Sequence, residues 1–343
     1  MDEWRQRGAL VHVHGVAPDE DLGRLVDRLL RARPGLPRNA GGDDAPLLLV
    51  LEDPALPSLR ARFADTLGMG GRAALSGWLR MDAAALVTYA GRAVALLRRT
   101  AAPPAPLVLL GPRESRYQAA LDTIEACAAQ AGACRTLRWS AERIRKPALL
   151  NALRLGAAAA LYLGHGDRSG WLAYGGLGSG DFAGRAEPWP PDETTALFFS
   201  LGCGGAGPDG MADALVAAGV AGAVLAPLGK PLHADNRRLA QALIEALAQG
   251  HRALPCLLEA VRATMVLLHG AGYMVIGDPG LSAMAAPHAL ARGLGVFAPP
   301  PDAVLVPAGT TARREPRGGP PPMRSGDGDF NRCGPSEIGL AGC

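Results

Sequence analysis

The chain has 343 residues, 48% of them hydrophobic and 20% charged, with a net charge of +3. That is the composition of an ordinary globular protein with ample length for a buried core, and so small a charge argues against a nucleic-acid partner. Six cysteines over this length make no disulfide framework, none has C-x-x-C zinc spacing, and no apolar run reaches membrane-spanning length.

Of the 35 basic residues only Lys146 and Lys230 are lysines, a bias that reads as a GC-rich genome rather than an arginine-built binding surface. The start, Met1-Asp2-Glu3-Trp4-Arg5, is polar, with no signal-peptide core behind it. Free thiols suit a reducing compartment, so the expected location is the cytoplasm.

Residues 1–106 read as an N-terminal α/β subdomain. It holds a strand at Ala9–His14, a helix over Asp21–Arg31, a strand at Leu47–Leu51, and helices over Leu59–Leu67 and Ala83–Arg99. His12 and His14 alternate on one face of the first strand, where two polar side chains facing solvent are the simpler reading than a metal pair. A Pro/Ala-rich stretch, Ala101–Pro106, punctuates the chain as a linker does.

From there the pattern is regular. Strands at Leu107–Leu110, Cys134–Trp139, Ala157–Leu163, Ala196–Leu201, Gly222–Leu228 and Tyr273–Ile276 alternate with helices. The helices fall at Arg116–Gln130, Lys146–Leu155, Asp209–Ala218, Ala234–Ala248 and Leu254–Leu268, and a Gly-rich loop fills 167–191. Such alternation implies a mostly parallel sheet covered on both faces. From Pro299 to Cys343 Pro, Gly and Arg dominate, too little apolar surface to offset ordering entropy, so the tail is expected to be disordered.

Two apolar runs end in a reactive side chain wrapped in glycine. One is Leu161-Tyr162-Leu163-Gly164-His165-Gly166-Asp167, the other Leu197-Phe198-Phe199-Ser200-Leu201-Gly202-Cys203-Gly204-Gly205. Neighbouring strands of a parallel sheet bring such ends together at the carboxyl edge, where ligands gather. A Cys/His pair there points to nucleophilic catalysis by Cys203 with His165 as proton carrier. Cys127, Cys134 and Cys256 fall in helix or strand patterns and read as packing residues, and His233 and His251 as surface residues.

This arrangement, with Gly277-Asp278-Pro279 downstream, resembles the caspase-like cysteine peptidases (clan CD). Within them it looks closest to gingipain-like peptidases and bacterial CHAT-domain proteases. The resemblance spans about Leu107 to Met284. It implies a caspase-like three-layer sandwich over 107–298 with a six-stranded, mostly parallel sheet, preceded by the smaller α/β subdomain of 1–106 and followed by the tail at 299–343. It also implies an oxyanion hole made of the backbone N–H groups of Gly166 and Cys203, and no cofactor or metal. The helix after Cys203 adds a dipole that favours a thiolate if aimed at it.

The expected function is a bacterial cysteine endopeptidase acting on a protein substrate. No sensor repeat is visible in 1–106, so a separate regulatory or sensor protein is the expected further partner. Substrate-binding candidates are Asp167, Arg113 and Asp209. Arginines of the loop Gly111–Arg116 favour an acidic side chain; Asp167, Asp181 and Asp209 favour a basic one. Two alternatives remain: a catalytically silent caspase-like scaffold, and a dinucleotide-binding enzyme, because Gly202–Gly207 also spells G-x-G-x-x-G. The latter lacks a carboxylate at the end of the following strand.

Overall fold

The apolar runs assemble into one nine-stranded sheet in the computed structural model, which describes residues 9–14, 47–58, 60, 76–99, 106–130, 135–182, 189–266 and 272–283. Strands β1 (Ala9–His14), β2 (Leu47–Glu52) and β3 (Ser76–Arg80) precede helix α1 (Ala83–Leu97). Then come β4 (Leu107–Gly111), α2 (Ser115–Gln130), β5 (Thr136–Ser140), α3 (Lys146–Ala152) and β6 (Ala159–Leu163). Three two-residue strands follow: β7 (Gly166–Asp167), β8 (Gly170–Trp171) and β9 (Leu177–Gly178). Last are β10 (Thr195–Leu201), α4 (Met211–Ala217), β11 (Ala221–Pro227), α5 (His233–Ala248), α6 (Leu254–Val266) and β12 (Tyr273–Gly277).

The sheet order is β1-β2-β3-β12-β11-β10-β6-β4-β5. The sheet is mostly parallel, and β12 runs antiparallel to β11. β4, β6, β10 and β11 are buried along their whole length, which is why they read as unbroken apolar runs instead of alternating ones. Their side chains still alternate between faces. Val108, Leu110, Ala160, Tyr162, Phe198 and Val224 pack on one side with α1, α3 and α4. Leu109, Leu161, Leu163, Phe199, Leu201 and Leu225 pack on the other with α2, α5 and α6. Three layers result.

Strands from both sides of residue 106 share this sheet, so residues 1–106 do not make a separate sheet packed on the next one. β1, β2 and β3 extend the sheet beyond β12, all within one compact unit, Met1–Leu305. The sheet therefore has nine strands rather than six. β3 escapes a pattern search because Ser76-Gly77-Trp78-Leu79-Arg80 has only two large apolar residues. Its glycine has a tertiary cause: a Cβ on Gly77 would stand 2.2 Å from the Gly277 carbonyl oxygen and 2.4 Å from the Pro279 ring. The predicted helix over 21–31, most of that over 59–67, and the tail from 299 onward lie outside the described residues, as do the side chains of β1 with His12 and His14.

The ends of β2 and β3 reach the segment that follows β10. Arg60, fully buried, makes a forked bond to Asp213 at 2.6 and 2.7 Å and donates to the Ala206 carbonyl at 3.3 Å. Its Nε lies 3.6 Å from Glu52 at the end of β2. Removing one partner of a buried charge network leaves the others uncompensated. Arg60→Ala is expected to destabilise the fold by about 3–5 kcal/mol, read as a lowered urea midpoint; an unchanged midpoint contradicts the clamp.

Candidate functional site

Strands β4 and β6 are neighbours, yet the chain leaves β4 toward β5 and returns to place β6 on β4's other flank. That reversal opens a crevice at the carboxyl ends of β4 and β6, where open α/β sheets bind ligands. β10 borders β6 with Leu201 opposite Leu163. His165 and Cys203 each lie two residues beyond that pair, so the register brings both to the same level of the crevice.

The His165 segment is held from below. Tyr162, fully buried, donates its hydroxyl to the His165 carbonyl at 2.6 Å, and the Leu172 amide donates to the same oxygen at 3.1 Å. The Tyr162 ring stacks on Trp171 at 4.2 Å between centroids, and the Trp171 Nε1–H donates to Ser200 Oγ at 2.9 Å. Ser200 sits opposite Tyr162 across the β6–β10 pair. One buried cluster thus links the strand before His165, the strand before Cys203 and β8. Burial raises the Tyr162 phenol well above its usual range, so it remains a proton donor.

The imidazole meets α2 on its exposed side. Arg116 donates to Nε2 of His165, and its guanidinium rests 4.9 Å from the Tyr117 ring centroid. Tyr117 is edge-on to His165 at 5.2 Å and edge-on to His233 at 4.6 Å. Burial raises the Tyr117 phenol against the pull of Arg116, and the nearby Cys203 sulfur adds to the rise. Burial lowers the ionisation of His233, reinforced by Arg116, Arg237 and His165.

Cys203 is a half-buried free thiol, and neither its amide nor its sulfur makes a hydrogen bond among the described residues. The two expected oxyanion donors are close together. A Cβ on Gly166 would stand 3.6 Å from the Cys203 nitrogen, and one on Gly202 would stand 3.6 Å from the Gly166 nitrogen. The same Cβ on Gly166 would press 2.9 Å from the Gly170 carbonyl oxygen. Gly166 is not among the positive-φ residues, so close approach, not a special backbone conformation, requires glycine here.

The turns after Cys203 consume their own amides. Gly204 donates to Gly229 O, Ala206 to Pro227 O, and Gly207 and Gly210 to Gly204 O and Gly207 O. These four amides point inward instead of toward a pyrophosphate, which weighs against the dinucleotide reading. The first amides of α4, those of Met211 and Ala212, are spent on Arg168 O and Gly205 O. The helix is only seven residues long and begins well beyond Cys203, so its dipole gives the sulfur little support.

The three predicted substrate-binding side chains are engaged elsewhere. Asp167 accepts from Ser169 N and Oγ at 2.8 and 2.6 Å and from Gly170 N, closing the β7–β8 hairpin. The Ser169 hydroxyl in particular holds its carboxyl below the usual carboxylate range. Arg113 donates to the Ala141 carbonyl at 3.0 Å. Asp209 accepts from Arg80 Nε at 2.9 Å, and Asp181 is paired with Lys146 at 2.9 Å.

Residues from α2, α5 and β12 wall the crevice instead. His233 opens α5 half-buried, not on the surface, with a buried Nδ1 that has no partner. Asn236 donates to the Leu201 carbonyl at 2.9 Å and accepts from the Tyr273 hydroxyl at 2.6 Å. Burial raises the Tyr273 phenol, with Asp235 and Cys203 adding to the rise. His-Ala-Asp-Asn at the start of a helix, just past a buried strand, is the sequence signal for this wall. Among the described residues no group of three or more His, Cys, Asp or Glu could hold a metal.

No protein-family model and no curated protein matches the chain. Solved structures do. The Arg-specific cysteine proteinase gingipain R superposes with a TM-score of 0.56 at 14% identity, over 80% of this chain and 78% of that one. The complex of Porphyromonas gingivalis RgpB pro- and mature domains aligns at 0.57 and 15% identity, over 79% of each chain. The Saccharomyces cerevisiae separase–securin complex aligns at only 0.46 and 15% identity, over 67% of this chain and 15% of that one. The fold is the caspase-like α/β fold of the gingipain cysteine proteinases.

Two outcomes follow from this geometry. Gly166→Val is expected to cut peptide turnover by about a hundredfold, the scale of one lost oxyanion donor; near-wild-type kinetics would move the oxyanion site elsewhere. Because folding favours neutral His233, the unfolded chain binds more protons at acid pH. Stability is therefore expected to fall as pH drops below the unperturbed histidine value of 6.5. A His233→Gln variant should lose part of that dependence in melting scans from pH 8 to 5.

Proposed function

We propose that the protein is a cysteine endopeptidase acting on a protein substrate, with Cys203 as nucleophile and His165 as its acid–base partner. The observation that carries this reading is the Leu163–Leu201 register, which sets both residues at the same height beyond neighbouring strands. The backbone nitrogens of Gly166 and Cys203, close together beside the thiol, support an oxyanion hole. The cysteine-proteinase fold supports a hydrolase of this kind.

The chemistry needs nothing further. The Cys203 thiol gives its proton to His165 and the sulfur adds to the substrate carbonyl carbon. The carbonyl π pair moves to oxygen, where the two amides stabilise it without reorganising. Collapse expels the amine, which takes the proton from His165, and water then hydrolyses the thioester by the same route in reverse. Free thiols and an arginine-biased composition fit a bacterial cytoplasm as the setting. RgpB has been solved with its pro-domain; a separate regulatory or sensor protein is the corresponding partner here.

One observation favours a second reading, a catalytically silent scaffold: Arg116 occupies His165 in the structure. Labelling separates the two. An electrophilic peptide is expected to modify Cys203, and Cys203→Ala and His165→Ala to lose nearly all cleavage with an unchanged melting temperature. Cys127→Ala should remain active. Full turnover in Cys203→Ala sinks the nucleophile assignment, and an unlabelled Cys203 favours the scaffold.

A further inference from the structure

Among the described residues Arg116 is the charged side chain hydrogen-bonded to the His165 ring, and its chemistry conflicts with that ring's task. A guanidinium has five donors and no acceptor. Nε2 of His165 must therefore accept, with a lone pair, and the imidazole must be neutral. An imidazolium has no lone pair to offer and repels a guanidinium. The ring thus cannot take the Cys203 proton while Arg116 stays in place. The structure is a resting arrangement, with a neutral imidazole.

Arg116 is also free to leave. It is exposed in the first turn of α2 and rests on the Tyr117 ring. It makes no ion pair with any described residue, although Glu114 stands two positions earlier in the same turn. Three other charges considered for substrate contact are already held: Asp167 by its hairpin, Asp209 by Arg80, Arg113 by Ala141 O. A neutral imidazole nitrogen is a weaker partner for a guanidinium than a carboxylate, which binds it through two parallel charged hydrogen bonds. An arriving carboxylate outcompetes His165.

We propose that Arg116 is a substrate-sensing latch: a carboxylate side chain on the bound peptide, next to the scissile bond, draws the guanidinium off Nε2 and frees His165 to accept the Cys203 proton. Recognition and activation are then one event. A peptide without the acid leaves the latch closed. Tyr117 carries the guanidinium on its ring face in the resting state, and Arg116 is a positioning residue until the substrate engages it. The latch deepens the peptidase reading and rests on it.

The test compares matched fluorogenic peptides, Glu against Gln and Asp against Asn at each position around the scissile bond, with the full chain. Wild type is expected to cleave the acidic member with kcat/KM at least roughly tenfold higher, the scale of a hydrogen bond to a charged group. Arg116→Ala should abolish that difference while raising turnover of the neutral member, and Arg116→Glu should turn the preference toward lysine peptides. Equal rates for acidic and neutral peptides in wild type, or an acidic preference that survives Arg116→Ala, overturns the latch. A preference for basic peptides that disappears in Asp235→Asn also overturns it. Iodoacetamide gives a readout independent of peptidase activity. Alkylation of Cys203 at neutral pH should be faster in Arg116→Ala than in wild type, and an equal rate counts against the latch. Absence of cleavage of every peptide, with faster alkylation in the variant, refutes the peptidase reading and leaves the Arg116–His165 contact standing.

Discussion

The buried hydroxyl of Tyr162, bonded to the carbonyl of His165, is the contact on which the site depends. It turns the chain out of β6 at a fixed angle, because a buried hydroxyl without its acceptor would carry its full desolvation cost. The same ring stacks on Trp171, whose indole bonds to Ser200. Ser200 lies three residues before Cys203. Two strands and a hairpin that are distant in sequence are thereby locked to one aromatic cluster, and both reactive side chains ride on it. Gly202 packs at the edge of that ring, where a Cβ would approach Tyr162 to 3.3 Å.

Charge is arranged around this core in two tiers. Buried charges are paired inward: Arg60 with Asp213 and Glu52 binds the ends of the N-terminal strands to the segment after the cysteine. Desolvation lowers Arg92 and Arg99, and each is capped by a backbone carbonyl, Val216 O and Thr194 O. Near the mouth, the acids nominated for selecting a basic side chain are neutralised by Lys146, Arg80 or local amides. What remains unmatched at the imidazole is a cation. Electrostatic preorganisation at this site is therefore directed by α2 rather than by the loops that flank the cysteine.

The glycines of the cysteine loop illustrate how one string of letters serves two chemistries. G-x-G-x-x-G binds phosphate only if its amides point outward at the start of a helix. Here two of them fold back onto the end of β11 and the turn after it, at Pro227 and Gly229. The loop becomes a rigid ledge that presents the Cys203 amide and thiol, with Gly204 in the left-handed region at φ 68°.

Local sequence by itself determined the main strands and helices of the half that carries His165 and Cys203, because β4, β6, β10 and β11 are buried on both faces and show it as unbroken apolar runs. It also allowed His165 and Cys203 to be placed at one edge, since each follows an apolar run and two such runs can pair as neighbouring parallel strands. It did not determine β3, or the two-residue strands β7, β8 and β9, which are too short to carry a period and exist only because a neighbouring backbone is present to pair with them. Only the tertiary structure decided which side chains surround the imidazole. Arg116, Tyr117 and His233 come from two helices far apart in the chain, and Arg113 and Asp167 were diverted to Ala141 and Ser169 by contacts that no spacing rule encodes. Strand register follows from short-range patterning, whereas the partner of a given charge follows from which elements the switch in strand order sets side by side.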